Sequence, residues 1–184
     1  SFFKGKGLPK SAISTTGAFP CIHYGELFTF YGMTIKEVAS RTNACNDVFF
    51  SLADDVLMPT SDVTPRGLAK ASCLLLGGVM LGGDTLVIRP EPSQLAGMFL
   101  AAQVRYRNEQ VLKLVTGSTV FHLYATDMKK FEFPLPTLDE QRAIAAVLSD
   151  MDAEIAALGD KLAKSRDVKQ GMMQVLLTGE IRLV

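Results

Sequence analysis

The feature that most limits how this chain can fold is a change of punctuation at Pro136. All eight prolines lie at or before that residue, and beyond it one helical pattern runs almost to the end of the chain. Thr137-Leu138-Asp139-Glu140 has the form of a capping box, in which the Thr hydroxyl accepts the N3 amide and Glu140 reaches back. Ile144, Leu148, Met151, Ile155, Leu158 and Leu162 then recur in alternating steps of four and three, the spacing of a heptad seam. The register moves at Ser165 and Lys169 to Val168, Met172, Val175 and Leu176, and Gly179 is placed to end the helix. Such a helix measures roughly 60 Å, whereas a globule built by the preceding residues has a radius of gyration of only about 14 Å. The stripe is therefore expected to pair with a partner helix and not to lie wholly on its own globule. Asp139, Glu140, Asp150, Asp152 and Glu154 face only Arg142 in the first half, while Lys161, Lys164, Arg166 and Lys169 outweigh Asp160 and Asp167 in the second. That sorting favours an antiparallel partner, which sets the acidic half against the basic half.

Before Pro136 the grammar is mixed. "CIHYGELFTFYG" is expected to form a strand, a turn at Gly25 and a second aromatic strand, with Tyr24, Phe28, Phe30 and Tyr31 as core residues of one strand face. "DTLVIRP" alternates as a strand stopped by Pro90. "SQLAGMFLAAQVRYR" has helical spacing with Ser93 as its N-cap, and "NEQVLKLVTG" reads as a shorter helix closed by Gly117. The expectation is an α+β protein: a mixed globule over residues 1–136, then a long helix and tail over 137–184.

Hydrophobic residues make up 48% of the chain and charged residues 21%, which excludes a disordered tail. A net charge of zero argues against a non-specific nucleic-acid coat and leaves room for one local basic patch. The three cysteines, Cys21, Cys45 and Cys73, are widely spaced and odd in number, a pattern of neither a metal site nor a disulfide framework. A reducing cytoplasm is expected, and no apolar run is long enough to span a bilayer. "GKGLPKS" at Gly5–Ser11 imitates a phosphate-binding loop, but Pro9 removes a backbone donor where one is required, and no full strand precedes it. Cys21 and His23 stand two apart in "CIHY", and a nucleophile–base pair between them is not expected. "FPLP" at Phe133 lacks the amide of an amino-methyltransferase motif. No catalytic residue and no metal site is expected.

"FPLPTLDEQRAIAAVLSDMDAEIAAL" followed by "KQGMMQVLLTGEIRL" strongly resembles the distal conserved region of the DNA-specificity (S) subunits of type I restriction-modification enzymes. The blocks "GKGLPKS", "CIHYGELFTFYG", "MPTSDVTPRGLAKAS", "GGDTLVIRP" and "TGSTVFHL" resemble, in order, their target recognition domain. The resemblance implies a non-catalytic reader of duplex DNA that docks methyltransferase (M) subunits and, through them, the restriction (R) subunit. S-adenosylmethionine is then expected on the partner and no cofactor on this chain. Such subunits usually carry two recognition domains and two antiparallel helices, whereas this chain carries one of each. The expectation is either a half-subunit that pairs with a second copy, or one half of a longer polypeptide. The competing reading is a coiled-coil assembly protein whose globule binds no DNA.

For DNA, the loop residues Lys4, Lys6, Lys10 and Ser11 are candidate phosphate contacts, because glycines beside them allow close backbone approach. Arg66 and Lys70 in "TPRGLAKAS", with Ser118, Thr119 and His122 after Gly117, complete the candidate set.

Overall fold

The structure is a computed structural model that describes residues 1–44 and 46–183. Cys45 therefore lies outside the described residues. In chain order the strands are β1 (Phe2–Lys4), β2 (Ile13–Ser14), β3 (Phe19–Ile22), β4 (Thr34–Ile35), β5 (Ser40–Thr42), β6 (Asp55–Pro59), β7 (Ser61–Asp62), β8 (Ser72–Leu74), β9 (Met80–Leu81), β10 (Thr85–Ile88) and β11 (Phe121–His122). The helices are α1 (Glu26–Thr29), α2 (Gly97–Tyr106), α3 (Asn108–Leu112), α4 (Ala125–Met128) and α5 (Leu138–Leu177). Two 3-10 turns, Lys10–Ala12 and Pro65–Ala69, lie between them.

Every residue of β6, β8 and β10 is buried, as expected of central strands covered on both faces. They form the middle of a five-stranded sheet ordered β1-β10-β6-β8-β4, in which β4 runs parallel to β8 and the other pairs are antiparallel. Leu57, Leu74 and Val87 pack into one core with Ile22, Leu27, Ile35, Val79 and Leu81. That core joins the large sheet to a second one, ordered β2-β5-β3-β9. Burying a side chain such as Leu57 completely contributes about 1.5–3 kcal/mol. On the opposite pleat of β6 and β10 lie Val56, Met58, Leu86 and Ile88, and α2 packs over β6 and β8. The short β7–β11 pair forms a separate two-stranded sheet.

The α+β class and the "DTLVIRP" strand are as expected; three local assignments are corrected. The second aromatic strand is instead the helical turn α1. The Glu26 carboxylate accepts the His23 amide at 2.7 Å and the Ser40 hydroxyl at 2.5 Å, and these side-chain bonds bend the backbone into a turn against its strand propensity. Tyr24, Phe28, Phe30 and Tyr31 consequently share no strand face. Tyr31 packs on the core, while Phe30 is 71% exposed. Ser93 does not cap α2, which starts four residues later at Gly97, and the Asp54 carboxylate from another segment takes the Gly97 amide at 2.7 Å. Only glycine fits at 97, because a Cβ would strike the Asp54 backbone carbonyl. Finally, α3 ends at Leu112 and not at Gly117. Gly117 instead adopts φ +115° in a hairpin loop, set close against the Val120 carbonyl.

The long helix spans forty residues, Leu138–Leu177. Thr137 Oγ1 accepts the Glu140 amide at 3.4 Å, and Gly179 follows the helix at φ +76°. Met151, Ile155, Leu158 and Leu162 are each more than half exposed, Ile144 is exposed and Leu148 is half-buried. The first turns of α5 belong to the compact unit Ser1–Ala145, and Ala146–Val184 forms the second unit. What binds the first turn is Gln141, completely buried although polar. Its Oε1 accepts the Ala96 amide at 2.9 Å, and its Nε2 donates to the Gln94 and Pro136 carbonyls, each at 2.9 Å.

Replacing Gln141 with Ala takes this partner from the Ala96 amide and from the Gln94 and Pro136 carbonyls, three hydrogen bonds that contribute about 0.5–1.5 kcal/mol each. The Gln141→Ala variant is expected to unfold at lower urea, by roughly 3 kcal/mol in all, as read from denaturation midpoints followed by circular dichroism.

Candidate nucleic-acid interface

The "GKGLPKS" segment is a structural strap. The Gly5 amide donates to Thr85 at 2.8 Å and the Lys6 amide to Leu81 at 3.0 Å, so these donors are taken by neighbouring strands. Gly7 (φ +53°) and Leu8 (φ +56°) turn the chain through the left-handed region and seat Leu8 against Cys21 and Met80. Backbone donors spent in this way cannot wrap an anion. The lysines of the strap point outward. Lys4 meets Asp84 and Lys6 meets Asp47, both at 3.2 Å. Exposed pairs of this kind contribute at most about 1 kcal/mol and exchange readily with another anion. Lys10 and Ser11 are exposed at the start of a 3-10 turn, and Lys10 has no acidic partner within salt-bridge distance among the described residues.

The β7–β11 ladder unites two candidate groups distant in sequence. Phe121 pairs with Asp62 and His122 with Ser61. Thr116 and His122 exchange backbone bonds of 2.9 and 2.7 Å, closing a hairpin whose tip carries the exposed Ser118, Thr119 and Val120. Beside it, the Asp62 carboxylate accepts the Val63 amide at 2.7 Å and the Thr64 hydroxyl at 2.8 Å, and Arg66 follows, exposed. His122 is half-buried and stacks on Tyr124 with ring centroids 6.0 Å apart. Lys4, just before the strap, lines one groove of about 580 Å³ with Thr60, His122 and Tyr124.

Lys70 has structural work as well as charge. Its Nζ donates to the Phe28 carbonyl at 2.7 Å and lies 5.9 Å from the centre of that ring. With Arg66, Arg105 and Asn108 it lines a basic notch of about 260 Å³. Arg105 was absent from the sequence candidates. Nothing in its local pattern marks it, since its Nε donor goes to the Ala71 carbonyl at 2.5 Å across a chain separation of 34 residues.

Cys21 is fully buried, and burial followed by the nearby Glu26 carboxylate pushes its thiol up to about 11. Burial, then Asp54, pushes Cys73 up as well. Burial lowers the pKa of His23; Lys10 adds to that shift while Glu26 opposes it, and the Gly25 amide donates to His23 Nδ1 at 3.1 Å. The imidazole is then neutral at pH 7, with its proton on Nε2. Among the described residues, no three His, Cys, Asp or Glu side chains are grouped to hold a metal ion.

Residues 4–164 match the family model described as type I restriction modification DNA specificity domain. The chain is 35% identical over 111 residues to the type I restriction enzyme MjaVIII specificity subunit of Methanocaldococcus jannaschii, covering 60% of this chain and 26% of that protein. The chain thus spans about a quarter of the length of the curated relatives it matches. Among solved structures, the S subunit of a type I restriction-modification system from M. genitalium aligns with a TM-score of 0.63 at 18% identity, over 95% of this chain and 42% of that one. The HsdS subunit of Thermoanaerobacter tengcongensis aligns with a TM-score of 0.59 at 21% identity, over 95% and 41% respectively. These likenesses establish the fold.

The same burial that rules out a Cys21 nucleophile is open to chemical mapping. At pH 8 a maleimide is expected to leave Cys21 and Cys73 unlabelled in the folded chain and to label both in guanidinium, as read by peptide mass mapping.

Proposed function

Since the chain belongs to the family of type I restriction modification DNA specificity domains, we propose that it recognises one half of a bipartite duplex target and docks methyltransferase subunits onto that DNA. The observation that carries the reading is that Lys4 and His122 line one groove, while the β7–β11 ladder sets the segment leading to Arg66 beside the hairpin that bears Ser118 and Thr119. Lysine, arginine and hydroxyl side chains on exposed loops suit phosphate oxygens, and rigid strands beneath them hold the loops in register. The chain itself contributes recognition. Methyl transfer, with its S-adenosylmethionine, falls to the methyltransferase subunit, and cleavage to a restriction subunit. Among the described residues no helix is long and apolar enough to cross a membrane, and a DNA reader of this kind works in the cytoplasm. The test is reconstitution with a type I methyltransferase subunit. A complex that methylates one bipartite sequence supports the reading, and a stable complex that binds no duplex and methylates nothing refutes it, leaving the assembly-protein reading.

The helix sets the geometry of this proposal. Ile144, Met151, Ile155, Leu158 and Leu162 leave a seam exposed on a forty-residue helix with axially sorted charge. An antiparallel partner, either a second copy or the other half of a longer subunit, covers that seam and spaces two recognition domains. A second copy would make the half-sites identical and inverted.

By analytical ultracentrifugation at tens of micromolar, the chain is expected to sediment as a dimer. The double substitution Met151→Lys and Ile155→Lys places like charges in the seam and should give a folded monomer. A monomeric unmodified chain would instead favour pairing with another half of the same polypeptide.

A further inference from the structure

The α1 turn carries an aromatic side chain that folding does not use. Leu27 is completely buried and Phe28 is held beneath Lys70, yet Phe30 is 71% exposed. It sits on the rim of a concavity of about 550 Å³ lined also by Lys10, His23, Tyr24, Thr29 and Ser40. The turn beneath it is rigid. The Phe30 amide donates to Glu26 at 2.9 Å, the Glu26 carboxylate is bound by His23 and Ser40, and Lys70 clamps the Phe28 carbonyl.

Resting on the proposed DNA reading, we infer that Phe30 is a base-contacting residue that determines part of the sequence this domain selects. The chemistry of the rim favours nucleic acid. Lys10 supplies an exposed cation, and the carboxylate in the concavity, that of Glu26, is 7% exposed and already bonded to two donors. An incoming polyanion therefore meets positive charge at the edge and little exposed negative charge within. The exposed Thr29 hydroxyl and the His23 Nε2 supply hydrogen-bonding groups suited to base edges, Ser40 Oγ, whose proton goes to Glu26, can still accept, and an exposed phenyl ring suits the thymine methyl group in the major groove. Lys10, on the same rim, suits the flanking phosphate. Because the bonds of the turn already hold the backbone that carries the ring, only the side chain's own rotamer freedom is lost when it is covered.

The experiment selects duplexes from a randomised pool with the chain bound to its methyltransferase subunit, comparing the unmodified protein with Phe30→Ala and Lys10→Ala. Phe30→Ala should relax the preference at one or two adjacent base pairs by about tenfold, with an unchanged salt slope. Lys10→Ala should keep the motif and reduce the salt slope by about one unit. A selected motif unaltered by Phe30→Ala overturns the inference while leaving the DNA reading intact. So does a Phe30→Ala variant that selects the same motif but captures its methyltransferase subunit less well, which would make the ring a protein contact. If the unmodified complex selects no motif at all, the DNA reading fails and this inference with it.

Discussion

The structure turns on one buried amide. A glutamine with no solvent contact must have its donors and acceptor engaged, and Gln141 meets that demand with three bonds of 2.9 Å to Ala96, Gln94 and Pro136. Each partner is a group that secondary structure alone leaves unpaired: an amide at the approach to α2, a carbonyl of the preceding loop, and a carbonyl just before α5. The same side chain thus completes the N-terminal end of α2 and fastens the first turn of α5. With Asp54 taking the Gly97 amide beside it, α2 needs no cap from its own sequence.

A comparable economy organises the proposed recognition surface. Glu26 is buried, and its carboxylate holds β3, α1 and β5 together through the His23 amide and the Ser40 hydroxyl. Lys70 reaches the far side of the same turn. The side chains that remain on the rim, Lys10 and Phe30 among them, are carried by turns closed through backbone bonds, from the Ile13 amide to the Lys10 carbonyl and from the Phe30 amide to the Glu26 carbonyl. Positioning is therefore separate from contact, which lets loop residues vary in chemistry without loss of the core.

Much of this organisation was legible in the sequence where one local rule decides it. The long helix follows from forty residues without proline and from a heptad seam, and β10 follows from alternation ended at Pro90. The misses share a cause. Ser93 has the right chemistry for a cap, but Asp54, 43 positions from Gly97, does the capping. Likewise "ELFTF" has strand-forming residues, but a carboxylate at its first position bonds to a hydroxyl fourteen residues away and forces a turn. Lys70 looked like a free cation because its carbonyl partner is 42 residues distant. Tertiary hydrogen bonds override local propensity at each of these sites, although the Glu26 turn also has a local partner in the His23 amide three residues before it. The pairing of segments 61–66 and 117–122 is of the same kind. The residue types could be listed from sequence, but their convergence required the β7–β11 ladder.

The central claim is that one surface of the globule, and not the helix, meets DNA. Hydrogen–deuterium exchange of the methyltransferase-bound chain, with and without the duplex it selects, addresses that claim most directly. The account predicts DNA-dependent protection in segments 8–14, 23–31, 61–67 and 116–124, with no change along residues 146–177. Protection confined to the helix, with those four segments unaltered, would contradict it.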